Sequence, residues 1–271
     1  MSPGEVKNTL RRLGVSPDRE LGQNFLVNPF IAAKTASAVP RGESTLEIGP
    51  GLGSLTERLL ERCGSLTAVE ISRKMAGFLE SKFGPAGLRI VREDFLRVDP
   101  SVLPGFPFRV VVGNLPYSIS SPALFRLTEH GFRHVDVAVF MLQKEVAVRL
   151  SSLDGGREYG KLSLQIWPLF TVENLLDAEP GDFFPEPRVK SRVVVIRRRK
   201  EPLVDERSYP GFRKLVRDAF AMRRKTILNN LGASMGRERA ASLLGRAAID
   251  PGLRAERIPP RGFLKLLEAM E

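Results

Sequence analysis

From about residue 44 the chain alternates short apolar runs with stretches of helical periodicity, and this alternation limits the fold more than any other feature. "STLEIG", "LTAVE", "LRIVRED", "FRVVVGN" and "VDVAVFMLQ" have the length and composition of strands. Between them, "SLTERLLERCG", "SRKMAGFLESKFG" and "SPALFRLTEHG" repeat apolar residues at helical spacing. Strands alternating with helices predict a parallel, doubly wound α/β sheet, because a parallel crossover needs a connection about as long as a helix. "KLSLQIWPLFTVENLL" and "SRVVVIRRRK" read as two more strands that complete the sheet as a hairpin. "EPLVDERSYPG" then reads as a linker, followed by the helical candidates "FRKLVRDAFAM", "RKTILNNLG", "RERAASLLGRA" and "RGFLKLLEAM" between glycine and proline breaks. The expected organisation is one domain over 1–200 and a small basic helical domain over 201–271.

Composition narrows the function. With 271 residues, 42% of them hydrophobic, the chain can bury a core of that size. Its apolar runs, such as "VAVFML", are far shorter than the roughly 18 to 20 residues of a membrane helix. The N-terminal "MSPGEVKNTLRRLG" has no apolar core of signal-peptide type, so a soluble, cytoplasmic chain without membrane association is expected. Cys63 is the single cysteine and only His130 and His134 accompany it, which argues against disulfides, zinc and histidine-based catalysis; no metal is expected. Residues 188–239 hold 16 lysines and arginines against 5 acids, an excess of 11 that equals the net charge of the whole chain. A concentrated basic stretch points to nucleic-acid phosphates ahead of an anionic membrane or a merely solvated surface. The candidates are Arg197, Arg198, Arg199 and Lys200 in "RRRK" and Arg223, Arg224 and Lys225 in "RRKT", expected to line one cleft.

"LEIGPGLGSLT" places Gly49, Gly51 and Gly53 between a strand and a helix, where glycines let backbone approach a ligand. Glu70 ends the next strand and is placed to accept both hydroxyls of a ribose. Asp94 ends the third strand at the same rim. Each acid has a plainer reading, Glu70 as a helix cap and Asp94 as a strand end, but three strand ends at one rim favour a cofactor. The turn is G-x-G-x-G and not the G-x-G-x-x-G that brings a pyrophosphate onto a helix N-terminus. S-adenosylmethionine, a nucleoside without phosphates, suits it better than NAD, with Asp94 accepting from the adenine amino group.

"NLPY", Asn114 to Tyr117, closes the fourth strand at that rim. As a turn it is unremarkable, since Asn and Pro are turn residues. Beside a methyl donor it reads as a pocket for an exocyclic amine. The Asn114 side chain and the carbonyl of Pro116 or Leu115 would accept the amine's hydrogens, and Tyr117 would stack on the base. Phe183 in "DFFPEPRVKS" is the candidate for the base's other face, against a plain reading as a core or loop anchor. Alignment supplies most of the catalysis in such a transfer.

In order along the chain, "LGQNFL" (21–26), "EIGPGLGSLT" (47–56), "VE" (69–70), "EDF" (93–95), "NLPYSIS" (114–120), "QKEVAVR" (143–149), "YGKLS" (159–163), "FFPEPRVKS" (183–191) and "FAMRRKTILNNL" (220–231) resemble the small-subunit ribosomal RNA adenine dimethyltransferases, the KsgA family. The resemblance implies a class I methyltransferase fold and dimethylation of N6 on two adjacent adenosines near the 3′ end of 16S ribosomal RNA, in a partly assembled small subunit. A monomeric enzyme is expected. It also implies donor contacts from Asn24, Leu26, Gly49, Glu70, Asp94 and Asn114, of which Asn24 and Leu26 are not marked by pattern alone. The chain departs from the family at Ser72, usually Asp, at Lys161, frequently Arg, and at Ser118, commonly Asn. A related enzyme that methylates 23S RNA shares the glycine turn and the NLPY type of motif, but "QKEVAVR" and "RRKT" favour the small-subunit family. A DNA adenine methyltransferase should carry a larger recognition region than this tail, and an intact cofactor set argues against a purely RNA-binding protein.

Overall fold

The structure is a computed structural model and describes residues 1–17, 22–156 and 158–270. Its contacts divide the chain into two compact units, Met1–Ala147 with Val172–Arg198, and Val148–Thr171 with Arg199–Glu271.

The elements run α1 (Pro3–Leu13), β1 (Phe25–Leu26), α2 (Pro29–Ser37), β2 (Ser44–Ile48), α3 (Thr56–Leu60), β3 (Ser65–Val69), α4 (Arg73–Phe83) and β4 (Leu88–Val91). They continue with β5 (Val110–Asn114), α5 (Ser120–Arg126), β6 (Val137–Gln143), α6 (Lys144–Ser151), α7 (Lys161–Ile166), β7 (Phe170–Ala178), β8 (Phe183–Phe184) and β9 (Ser191–Arg198). Four helices complete the chain: α8 (Tyr209–Ala219), α9 (Ile227–Met235), α10 (Arg237–Arg246) and α11 (Pro260–Glu268).

Seven strands form one sheet in the order β4-β3-β2-β5-β6-β9-β7. Neighbours from β4 to β6 are parallel, and β9 returns antiparallel to β6. This is the doubly wound α/β sheet that the strand–helix alternation predicts. β5 and β6 are buried almost throughout, as expected of strands covered on both faces. The chain winds outward from β2 through β3 to β4, then crosses back to β5 on the other side of β2. Adjacent strand ends therefore part at β2 and β5, and such a switch point opens a crevice at the carboxyl ends of the strands. In register, Ile48 lies opposite Val69 and Val69 opposite Val91, so the residues that follow these strands emerge at one rim.

"KLSLQI" is the helix α7 and not a strand. Leu162 to Ile166 are all buried, so alternation of Leu162, Leu164 and Ile166 carried no information about period. α7 packs on α8 within the second unit, where the Tyr209 hydroxyl donates to the Gln165 carbonyl at 2.5 Å. The strand of that stretch begins at Phe170, and residues 148–171 group with 199–271, whereas the sequence predicts a single boundary at residue 200. Several elements have no place in the sequence reading, among them α1, α2, α6 and the pair of short strands β1 and β8. α1 is capped by Ser2 and Glu5, and its Val6 and Leu10 pack with Leu52 and Met75. β1 and β8 form a two-residue antiparallel pair, with Leu26 opposite Phe183. Among the described residues no helix is long and apolar enough to cross a membrane, and no group of three His, Cys, Asp or Glu is placed to hold a metal.

Candidate active site

The turn after β2 needs glycine. Gly49, Gly51 and Gly53 have φ of +60°, +60° and +83°, and a Cβ on Gly53 would stand 2.4 Å from the Phe83 ring. The turn is held from the next strand. Glu70, only 4% exposed, accepts from the Gly51 amide at 3.2 Å through one oxygen and from the Ser72 amide at 2.9 Å through the other. Ser72 in turn caps α4 by accepting from Met75. Glu70 thus secures both the glycine turn and the start of the helix, which extends its plain reading as a helix cap to the turn itself. Burial raises its pKa, and the Ser72, Gly51 and Ile71 amides pull it back.

The crevice at the switch point is a cavity of about 230 Å3. Asn24, Leu26, Gly49, Gly51, Glu70 and Asp94 line it, and Asn114, Pro116 and Tyr117 line it as well. The Leu26 carbonyl accepts from Ser54 at 2.7 Å, which ties β1 to the glycine turn. Leu21 of the "LGQNFL" motif lies outside the described residues. Asp94 accepts from the Leu96 amide at 2.8 Å and opens a tight loop, 94–98, whose Phe95 and Leu96 are also lining residues.

The Asn114 amide nitrogen donates to the Asn24 carbonyl at 3.0 Å, which leaves its side-chain oxygen as the acceptor. The Pro116 carbonyl accepts from the Ile119 amide at 3.1 Å and from the Ser120 hydroxyl at 3.2 Å. Its two lone pairs are therefore engaged, which favours the Leu115 carbonyl of the two that the sequence offers. The Tyr117 hydroxyl is 2.8 Å from that of Ser191, the buried first residue of β9, and burial raises the phenol pKa. Phe183 does not line the cavity. Its side chain is 3% exposed, in the apolar core with Leu26, because the β1–β8 register turns it inward.

Glu47 and Ile71 are among the lining residues that the sequence does not mark. Glu47, 1% exposed, accepts from the Thr56 hydroxyl at 2.7 Å. Burial pushes its carboxyl up to about 8 against that hydrogen bond, and the Glu70 charge adds to the rise. An acid between Leu46 and Ile48, in a strand expected to be covered on both faces, is the available signal. Ile71 is 62% exposed at the cavity, an apolar side chain left open beside Glu70.

The basic candidates divide. Arg198 donates to the carbonyls of Val135 and Phe132 at 2.7 and 3.0 Å, and Arg199 to that of Trp167 at 2.8 Å. These two guanidiniums hold backbone, whereas Arg197 and Lys200 are exposed. Arg223, Arg224 and Lys225 are exposed in a row just before Thr226, the cap of α9.

The family model described as "Ribosomal RNA adenine dimethylase" matches residues 16–271. The chain is 42% identical over 243 residues to "Ribosomal RNA small subunit methyltransferase A" of Thiobacillus denitrificans, covering 89% of this chain and 92% of that one. A dimethyladenosine transferase from Plasmodium falciparum is similar in structure, with a TM-score of 0.74 and 25% identity over 89% of this chain and 95% of that one. The 23S rRNA methyltransferase ErmE gives a TM-score of 0.69 and 29% identity, over 91% of this chain and 99% of its own.

Proposed function

The chain belongs to the ribosomal RNA adenine dimethylase family, and from that premise we propose that it uses S-adenosylmethionine to dimethylate N6 of two adjacent adenosines near the 3′ end of 16S ribosomal RNA. The observation that carries the reading is the convergence of Glu70, Asp94 and Asn114 from three strand ends on one cavity at the switch point. Its small-subunit assignment is supported by the 42% identity to a small-subunit methyltransferase, against 29% to ErmE.

The residues present fit the donor. Glu70 suits ribose hydroxyls, Asp94 an adenine amino group, and the exposed Ile71 side chain offers an apolar face to a purine. No lysine or arginine stands among the described lining residues, which suits a nucleoside without phosphates. When bound, the donor supplies a methyl group on a positively charged sulfonium that leaves as a neutral thioether. Asn114 Oδ1 and the Leu115 carbonyl accept the two hydrogens of the adenine amine, turning its lone pair out of the ring plane and toward the methyl. Tyr117, its hydroxyl fixed by Ser191, is the platform on which the base stacks. The proton lost on methylation comes from a cationic amine and passes to water without a dedicated base.

The exposed Arg223, Arg224 and Lys225 contact RNA phosphates, joined by Arg197 and Lys200, with Arg198 and Arg199 adding charge while they hold backbone. The enzyme acts as a cytoplasmic monomer on the assembling small subunit. Asn114→Ala is the test of the chemistry: it should keep the thermal transition of the parent protein and lose transfer into ribosomal RNA. A parent-like rate would sink the amine alignment.

A further inference from the structure

Arg126, at the end of α5, is a charged side chain with 12% exposure that neither the donor nor the RNA reading uses. Its guanidinium reaches the loop that follows β4. One terminal nitrogen donates to the Phe95 carbonyl and the other to the Val98 carbonyl at 2.9 Å, while Nε bonds Glu129 at 3.1 Å. The guanidinium lies 5.2 Å from the Phe95 ring centroid and 5.3 Å from that of Phe132. These two rings also meet each other, at 5.7 Å.

The loop so held begins at Asp94. Inside it, the amides of Arg97 and Val98 both return to the Asp94 carbonyl, and the Leu96 amide to the Asp94 carboxylate. Those bonds curl the loop but do not anchor it to anything outside. Arg126 supplies an anchor from α5, through a planar fork that spans two carbonyls and two aromatic faces at once. A lysine ammonium, a point charge, cannot do both.

We propose that Arg126 is a positioning residue for donor recognition: by clamping the 94–98 loop it sets the Asp94 carboxylate where it meets the 6-amino group of the donor's adenine. This rests on Asp94 being the adenine acceptor. Free energy spent on ordering the loop is then supplied before the donor binds, and adenine is told from other purines by one fixed carboxylate.

The test compares binding of S-adenosylhomocysteine and S-inosylhomocysteine, which differ in a 6-amino against a 6-oxo group. It uses the full chain and the variants Asp94→Asn, Arg126→Lys and Arg126→Met, each measured well below its own thermal transition. The parent should prefer the adenosyl ligand by about tenfold or more, the worth of one well-placed hydrogen bond. Asp94→Asn should abolish that preference, and both Arg126 variants should lower it about fivefold or more while ribosomal RNA affinity stays at the parent value. If Arg126→Lys and Arg126→Met weaken both ligands equally and keep the ratio, Arg126 is structural and the inference fails. If Asp94→Asn itself keeps the ratio, it is the reading of Asp94 that fails, and the inference with it.

Discussion

Glu47 shows what burial does to a single group. Its carboxyl titrates near 8 in the folded chain and near the usual 4.5 when unfolded. Between those values the folded state holds one more proton than the unfolded one, so its stability falls as pH rises through that window and levels off above about 8. Glu47→Gln removes the titrating proton and keeps an acceptor for Thr56. Its thermal transition should gain on that of the parent from pH 6 to pH 9; a gap that does not change with pH would contradict the assignment. Tyr117 carries a second prediction. Tyr117→Ala should raise the KM for RNA about tenfold or more, since stacking on a base is worth about 1–3 kcal/mol, while Tyr117→Phe keeps the ring and most of the activity. The sequence marked Glu70 and Asp94 because both fall at strand ends. It could not show that Phe183 faces the core, since that face is set by pairing with Leu26, and it could not mark Arg126, whose carbonyl partners Phe95 and Val98 lie in a loop about thirty residues earlier.

The α8–α9 turn is the element that presents the basic row. Asn230, 4% exposed on α9, accepts from the Met222 amide at 3.2 Å and donates to the carbonyls of Ala219 and Met222 at 2.7 and 3.1 Å. One carboxamide therefore fixes the backbone just before Arg223. Asn230→Leu strands those groups and should cost about 2 kcal/mol in chemical unfolding; a loss under about 0.5 kcal/mol would show that water takes over the bonds. Reversing the charge of Arg223 and Arg224 should weaken RNA binding and flatten its dependence on salt by about one unit or more of log–log slope. Donor affinity should not move, and an equal loss of it would make the row structural. Elements were legible where period and punctuation agree, as in α4 and in α8 to α11. α7 was misread because five consecutive buried residues show no period. α1 carried the Ser-Pro-Gly-Glu signature of a capped helix start, a legible signal that the strand–helix pattern further on overshadowed.

At the scale of the whole molecule, the sheet order does what no single motif can. It brings the ends of β2, β3, β4 and β5 to one rim, so residues as far apart in sequence as Glu47 and Asn114 share a cavity. Alternation of strands and helices made the parallel part of that sheet legible. The grouping of residues 148–171 with 199–271 was not, because it depends on tertiary packing of α7 on α8 and no composition change marks it. The most direct measurement is to incubate the protein with methyl-labelled S-adenosylmethionine and ribosomal subunits lacking the modification, then map the labelled nucleotides. The expected result is N6,N6-dimethyladenosine at two adjacent positions near the 3′ end of 16S RNA in small subunits, and none in large subunits. Label in 23S RNA, or no label in either subunit, would contradict it.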